Sequence, residues 1–135
     1  MRAGRSITLM AVLIPMVVAL TSAGRASATE LYSPSVFLGD STSCVICSIV
    51  NTTAIERIVR IQILNSSGVV RHDTGNVTLA ANGDTQDGMY TGSNNNTADY
   101  FHCHFTVNAA KATVRAQIVH NSTCTSNGSF ALPAQ

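Results

Sequence analysis

The clearest alternation of apolar and polar residues lies between Tyr100 and Val107, where the chain reads Tyr-Phe-His-Cys-His-Phe-Thr-Val. Every odd-numbered position is apolar, and the even-numbered positions after Tyr100 are polar. Because successive side chains of a β-strand point to opposite faces, this pattern predicts a strand with one buried and one solvated face. The buried row would consist of Phe101, Cys103, Phe105 and Val107.

Six further segments are predicted as strands because they are rich in β-branched residues or alternate with a period of two. They cover residues 35–38, 44–50, 55–64, 69–79 with a kink at 73–75, 85–90 and 112–120. Turn residues at 65–68 and 108–111 predict two hairpins, while the stretches before residue 35 and after Cys124 show no usable pattern. About seven short strands without helical periodicity predict an all-β fold, an antiparallel β-sandwich, with a closed barrel as the structural alternative.

The first 28 residues predict a cleavable secretory signal. Arg2 and Arg5 precede an apolar run, Ile7 to Leu20, that is shorter than a bilayer-spanning helix, and the run is followed by Ala26-Ser27-Ala28, a small-residue cleavage pattern. The remaining residues, 29–135, have the size of one domain with a single core. We therefore expect a secreted protein, periplasmic or extracellular, with no membrane span after cleavage.

The charge of the predicted mature chain argues against nucleic acid as a partner. Residues 29–135 carry five Lys and Arg against seven Asp and Glu, and the basic residues form no cluster. Affinity for nucleic acid depends on neutralising phosphates with such clusters. We expect the partner to be an unidentified protein or a surface glycan.

Four cysteines remain after the predicted cleavage, at positions 44, 47, 103 and 124. In an oxidising compartment an even number predicts a framework of two disulfides. Cys44 and Cys47 are poor partners, because residues three apart on a strand are separated by roughly 10 Å and face opposite sides. A redox-active Cys-x-x-Cys would also need a helix start, and nothing around residues 42–48 is predicted to be helical.

The pattern over residues 35–120 resembles the immunoglobulin-like superfamily in its broad sense, which includes fibronectin type III domains. Cys47 lies three residues inside the second predicted strand and Cys103 three residues inside the sixth, as in that family's bridge between strands B and F. The resemblance implies that strand G pairs with strand F, that Cys47 bonds to Cys103 through the core, and that Cys44 bonds to Cys124 at one end of the molecule. The chain lacks the family's core Trp, and the resemblance implies an architecture and not a function.

Two histidines are the candidate chemistry on the solvated face of the Tyr100–Val107 strand. His102 and His104 are two positions apart, so both project from the same face, at a spacing that can hold a metal ion. A third ligand would have to come from His72 or His120. This predicts a possible metal site, whereas surface histidines of a solvated face are the simpler interpretation.

Six Asn-x-Ser/Thr sequences fall at predicted turns or strand ends. In a eukaryotic host they would carry sugar, and in a bacterium they would serve as turn residues. They begin at Asn51, Asn65, Asn76, Asn95, Asn121 and Asn127.

No enzyme activity is expected, because no Ser or Cys has a base and an acid at a recognisable spacing, and we expect no cofactor. The leading hypothesis is a non-catalytic secreted structural or binding module. The first alternative is a secreted metal-binding protein that uses His102 and His104. The second is a fibre or pilus subunit whose sheet is completed by a strand of a neighbour, which the weak first strand suggests.

Overall fold

The computed structural model describes residues 28–39, 43–86, 89–91, 98–121, 124 and 129–135. Within these ranges the chain forms eleven strands: β1 Thr29–Tyr32, β2 Val36–Leu38, β3 Cys44–Asn51, β4 Arg57–Asn65, β5 Val70–Asp73, β6 Val77–Leu79, β7 Asp84–Thr85, β8 Met89–Thr91, β9 Asp99–Val107, β10 Val114–Asn121 and β11 Ser129–Pro133. The predicted signal sequence, apart from Ala28, lies outside the described residues. So do residues 92–97, in the polar segment that precedes β9. In the part of the chain that is described, no helix is long and apolar enough to cross a membrane.

The strands form two antiparallel sheets. The six-stranded sheet has the order β1-β9-β4-β5, with β2 also paired to β9 and β6 to β4. The five-stranded sheet has the order β11-β10-β3-β7, with β8 also paired to β3. The prediction of an all-β, antiparallel, disulfide-linked sandwich is confirmed. The strand number exceeds the predicted seven because two predicted segments each divide into a pair and because β1 and β11 were missed.

The core lies between the sheets and is built from the alternating rows. The four apolar residues predicted to be buried in β9 are all fully inaccessible to solvent. From β3, Val45, Cys47 and Ile49 are equally buried and pack in the same cluster. A disulfide joins Cys47 to Cys103, with Cα atoms 5.8 Å apart, and so links the two sheets through the core. The first predicted bridge is confirmed.

The strands that pair with β10 are not those expected from an immunoglobulin-like strand order. The predicted hairpin between β9 and β10 is wrong: β10 pairs with β3 and β11, and β9 pairs with β1, β2 and β4. Residues 108–113 carry the chain between sheets, ending in one turn of 3-10 helix at Lys111–Thr113. An inward-facing apolar row suits either sheet of a sandwich, so its alternation does not reveal which sheet a strand joins.

The first two strands form one edge of the six-stranded sheet with an extra residue between them. Tyr32 lies opposite His104, and Phe37 lies opposite Tyr100. Five residue steps on this edge therefore match four on β9, as in a β-bulge. Ser33 closes the gap, because its hydroxyl accepts from the Cys103 amide at 2.8 Å and its own amide donates to the Cys103 carbonyl at 2.9 Å. Both Tyr32 and Phe37 thereby lie on the same face.

The predicted hairpin at 65–68 is confirmed between β4 and β5. Asn65 Oδ1 accepts from the amides of Ser67 and Val69, at 3.2 and 2.9 Å. Gly68 has φ +74°, which favours a residue without a Cβ. The predicted kink at 73–75 is also present, and β5 and β6 pair with successive parts of β4 on either side of it.

Candidate functional site

The surface of the six-stranded sheet that points away from the core, called the outer face below, carries both histidines singled out from the sequence. The strand register and the alternation of side chains define its members. They include Glu30, Tyr32, Phe37, Arg60, Gln62, Asp73, Tyr100, His102, His104 and Thr106.

One row of the outer face forms a polar network across four strands. Tyr32, His104, Gln62 and Asp73 occupy facing positions on β1, β9, β4 and β5. The Tyr32 ring stacks on the His104 imidazole, with centroids 4.4 Å apart and planes within 4°. Gln62 Nε2 donates to Asp73 Oδ2 at 2.8 Å, while Arg60 donates to both Asp73 oxygens, through Nε at 2.9 Å and through Nη2. These contacts hold the polar side chains in fixed positions on the sheet.

The tautomer of His104 follows from this network. The Asp73 carboxylate only accepts, so Gln62 turns its amino group to Asp73 and its carbonyl to His104. Nδ1 of His104, 3.0 Å from Gln62 Oε1, therefore carries a hydrogen and donates it. Nε2 of His104 is buried without a hydrogen-bond partner and lies 3.9 Å from Glu30 Oε2, which also accepts from the Tyr32 hydroxyl at 3.2 Å. His104 Nε2 and Glu30 are thus polar groups with unused hydrogen-bonding capacity.

Neither of the two candidate third ligands, His72 and His120, joins His102 and His104. Burial, followed by the nearby His104, lowers the pKa of His102. His72 lies opposite Ile63 and His120 opposite Val45, so both are on core-facing sides of their strands, and His120 belongs to the other sheet. Among the described residues, no group of three or more His, Cys, Asp or Glu side chains is placed to hold a metal ion.

Three half-exposed aromatic side chains lie on the outer face; Tyr32, Phe37 and Tyr100 are called the aromatic patch below. Their exposed fractions are 47, 50 and 53%. The rings of Phe37 and Tyr100 have centroids 5.1 Å apart and an interplanar angle of 50°. Gly39 leaves space for this pair, because a Cβ there would lie 2.9 Å from Phe37 Cε1. Tyr32 faces His104, about 13 Å along β9 from Tyr100, with His102 between them.

The Arg60–Asp73 pair predicts a pH dependence of stability. Arg60 holds the pKa of Asp73 well below its usual range, with help from the Gly75 amide and Gln62. Since the folded-state pKa is lowered, the pair stabilises the fold above the ordinary carboxylate pKa of about 4, and this stabilisation is lost as the pH falls further. We expect D73N to reduce unfolding stability at pH 7 by roughly 1 kcal/mol or less, as for other exposed pairs, and to flatten its decline below pH 4.

Urea unfolding at a series of pH values measures this effect. D84N is the matched control, because Asp84 is exposed on β7 and forms no ion pair with a described Lys or Arg. A D73N variant that loses stability as steeply as the parent below pH 4 would contradict the role assigned to the pair.

The remaining two cysteines meet but are not bonded. Cys44 and Cys124 are free thiols, so the second predicted disulfide is not formed in the structure. Cys44 is fully buried opposite Asn121, whereas Cys124 is exposed. Burial, followed by a hydrogen bond with the Cys124 side chain, raises the pKa of Cys44 to about 12. Because the thiolate is the reactive form, Cys44 is a poor nucleophile at neutral pH although its partner is adjacent.

Oxidised glutathione is expected to link Cys44 to Cys124 within the folded chain. Cys124 would attack first, forming a mixed disulfide and releasing one glutathione thiol. Cys44 is little ionised at neutral pH, so it would displace the second glutathione thiol slowly, leaving the two cysteines oxidised and one glutathione disulfide reduced. Peptide mapping without reduction should show the linked pair, and C124S should leave Cys44 unmodified. Two thiols that remain free after long exposure to the oxidant would contradict this prediction.

The structure separates the predicted glycosylation sequences by exposure. Asn51 is fully buried and Asn121 nearly so, Asn65 is half-buried in the hairpin, and Asn76 is exposed. The side-chain nitrogen of Asn51 already donates two hydrogen bonds, so a sugar attached there would be incompatible with this fold. Asn95 and Asn127 lie outside the described residues.

Sequence reasoning missed three members of the network. Glu30 and Tyr32 belong to β1, which is not among the predicted strands, although the polar-apolar order of Glu30, Leu31 and Tyr32 is an available signal. Asp73 was assigned to a kink, but it closes β5 opposite Gln62. In each case the segment is four residues long, too short for alternation to stand out.

Comparisons with protein-family models, with curated proteins and with solved structures returned no significant match. Similarity therefore assigns no family to the chain. What the structure shares with the immunoglobulin-like pattern is two antiparallel sheets and a disulfide between them. A function has to be proposed from the outer face itself.

Proposed function

We propose that this protein is a non-catalytic binding module of an oxidising, extracytoplasmic compartment and that it binds carbohydrate on its outer face. The observation that carries the proposal is the aromatic patch beside a fixed polar row on one exposed side of a sheet. The Cys47–Cys103 disulfide is compatible with such a compartment.

The chemistry of the outer face suits a neutral, polyhydroxylated ligand. The face of an aromatic ring is electron-rich and attracts the weakly positive C–H groups of an apolar sugar face. Sugar hydroxyls both donate and accept, so they can pair with the exposed Glu30 carboxylate, which already accepts from the Tyr32 hydroxyl and can accept further hydrogen bonds. The charges of Glu30, Arg60 and Asp73 are mixed in sign, which gives no strong field for a highly charged ligand.

A protein partner fits the outer face less well. A stable protein interface buries about 800 Å² on each side around a well-packed apolar centre. On the outer face Tyr32 belongs to the polar row and lies about 13 Å along β9 from Tyr100, with His102 between them, so the exposed rings do not form one apolar centre. The fibre alternative was suggested by a weak first strand, whereas β1 and β2 of the same chain both pair with β9 at that edge.

Affinity electrophoresis through native gels that contain soluble glucans, mannans or xylans tests the proposal. We expect retarded migration in at least one of these gels. The double variant F37A/Y100A should weaken binding roughly tenfold or more, as for removal of two aromatic contact residues. V50A/I55A is the matched control, because it removes exposed apolar side chains from the other sheet and from a loop.

Two results would contradict the proposal. One is migration that none of the neutral polysaccharides alters. The other is retardation that F37A/Y100A leaves unchanged. Retardation only by a polyanionic polysaccharide, abolished by moderate salt, would count as the first result, because it would reflect charge attraction.

A further inference from the structure

A cavity lies on the opposite side of β1 from the outer face, where the chain twice crosses between the sheets. Its volume is about 420 Å³, and its lining comes from β1, the 3-10 turn, β10 and residues 133–134. This size falls within the range of small-molecule sites, about 300 to 1,000 Å³. The crossing segments flank it: residues 108–113 lead from β9 to β10, and Gln135 pairs its backbone with Tyr32.

Most of the cavity lining is aliphatic and small. Leu31, Val114 and Ala116 are its most buried members, with exposed fractions of 2, 3 and 8%. Ala112 and Ala134 contribute only methyl groups, which leaves the space beside them unfilled. An apolar cavity of this kind favours the hydrocarbon part of a ligand, which is removed from water on binding.

Two cations complete the lining. Lys111 and Arg115 are both exposed, and neither forms an ion pair with a described Asp or Glu. Arg115 leaves β10 on the opposite side from Val114 and Ala116, but its Nη1 donates to the Val114 carbonyl at 3.0 Å. This bond holds the guanidinium group beside a cavity-lining residue and leaves its other donors for a ligand. Positive charge beside an aliphatic cavity is complementary to an anionic headgroup on a hydrocarbon chain.

We propose that this cavity binds a small amphipathic anion, a medium-chain carboxylate, with its hydrocarbon chain against the aliphatic lining and its carboxylate between Lys111 and Arg115. The cavity shares no residue with the aromatic patch or the polar row. The proposal therefore stands or falls separately from carbohydrate binding.

The proposal is tested by adding decanoate, below its micelle concentration, to the chain recovered after export. Backbone amide resonances report where decanoate binds, and calorimetry measures its affinity. We expect decanoate to shift the amide resonances of residues 111–116 and of Ala134, and decanol to bind more weakly. A112F fills the cavity and should weaken decanoate binding at least tenfold. K111Q and R115Q should each weaken it by up to roughly fivefold, as for exposed charge pairs.

Two variants control for non-specific effects. A54F places a phenyl ring on an exposed loop, and R71Q removes an exposed cation from β5, at the far edge of the six-stranded sheet. Both should bind decanoate like the parent, and circular dichroism should show that every variant is folded. The proposal is overturned if decanoate leaves residues 111–116 unmoved, if A112F binds as the parent does, or if decanol binds as tightly as decanoate.

Discussion

Replacing Cys47 and Cys103 together by alanine is expected to lower the free energy of unfolding by about 4 kcal/mol. The disulfide spans 56 residues of sequence, and in the chain-entropy model closing a loop of that length in the unfolded state accounts for this amount. The lost sulfur atoms add a packing cost, because both positions are fully buried between the sheets. Since small domains are stable by only about 5 to 15 kcal/mol, the variant should be close to unfolding at 37 °C.

Urea unfolding of the parent and the variant, each with and without reductant, separates the bridge from other effects. Reductant should bring the parent close to the variant and leave the variant itself unchanged. The control is C44A/C124A, which removes the same number of sulfur atoms without breaking a bond of the structure. If C47A/C103A were as stable as the parent, the disulfide would not be what holds the two sheets together.

N51A is expected to lower the free energy of unfolding by about 3 kcal/mol, although Asn51 is a single polar residue. Its fully buried side chain makes four hydrogen bonds: Nδ2 donates to the carbonyls of Ile55 and Ala80, at 2.7 and 2.9 Å, and Oδ1 accepts from the amide and hydroxyl of Thr53, at 3.1 and 2.9 Å. Removing it deletes four hydrogen bonds to part-buried partners, and each contributes about 0.5 to 1.5 kcal/mol net. Asn51 thereby connects the end of β3 to two loops.

An isosteric variant sharpens this prediction. N51D keeps the shape of the side chain but points a carboxylate at two carbonyl oxygens, so its charged form is disfavoured in the fold. The folded-state pKa of this carboxyl should be raised, and the variant should regain stability as the pH falls through that value. N76D, at an exposed position, should change stability by less than about 0.5 kcal/mol. Urea unfolding at pH 4 and 7 measures both, and equal losses in N51D and N76D would contradict the role of Asn51.

The sequence predicted the layers of the fold because alternation reports burial directly. The buried row of β9 follows from which residues face inward, the hairpin at 65–68 from its turn residues, and the Cys47–Cys103 bridge from the immunoglobulin-like resemblance together with the inward positions of both cysteines. Alternation carries no information about which strand lies next to which. The prediction therefore failed at β10, which pairs with β3, and in the length of the β9–β10 connection, whose 3-10 turn has no periodic signature.

The outer face could be predicted only in part. The position of His102 and His104 on the outer face follows from alternation, because both have the opposite parity to the buried Cys103. The network around His104 depends on contacts with Tyr32 and Gln62, which lie 72 and 42 positions away in sequence from His104.

The extra residue between β1 and β2 decides that Phe37 meets Tyr100 on the outer face. Such a bulge reverses the parity that a regular strand would have, and the sequence around Ser33 gives no sign of it. Alternation in the sequence therefore could not predict the aromatic patch.

The binding role of the outer face is tested most directly by nuclear magnetic resonance titration. The isotope-labelled chain is titrated with a fragment of the polysaccharide that retards its migration in the native gels. We predict that the largest amide shifts fall on Tyr32, Phe37, Tyr100 and His102, and that β3 and β10 in the other sheet stay unmoved. Shifts confined to the five-stranded sheet, with β9 and its edge strands unaffected, would contradict the assignment of binding to the outer face.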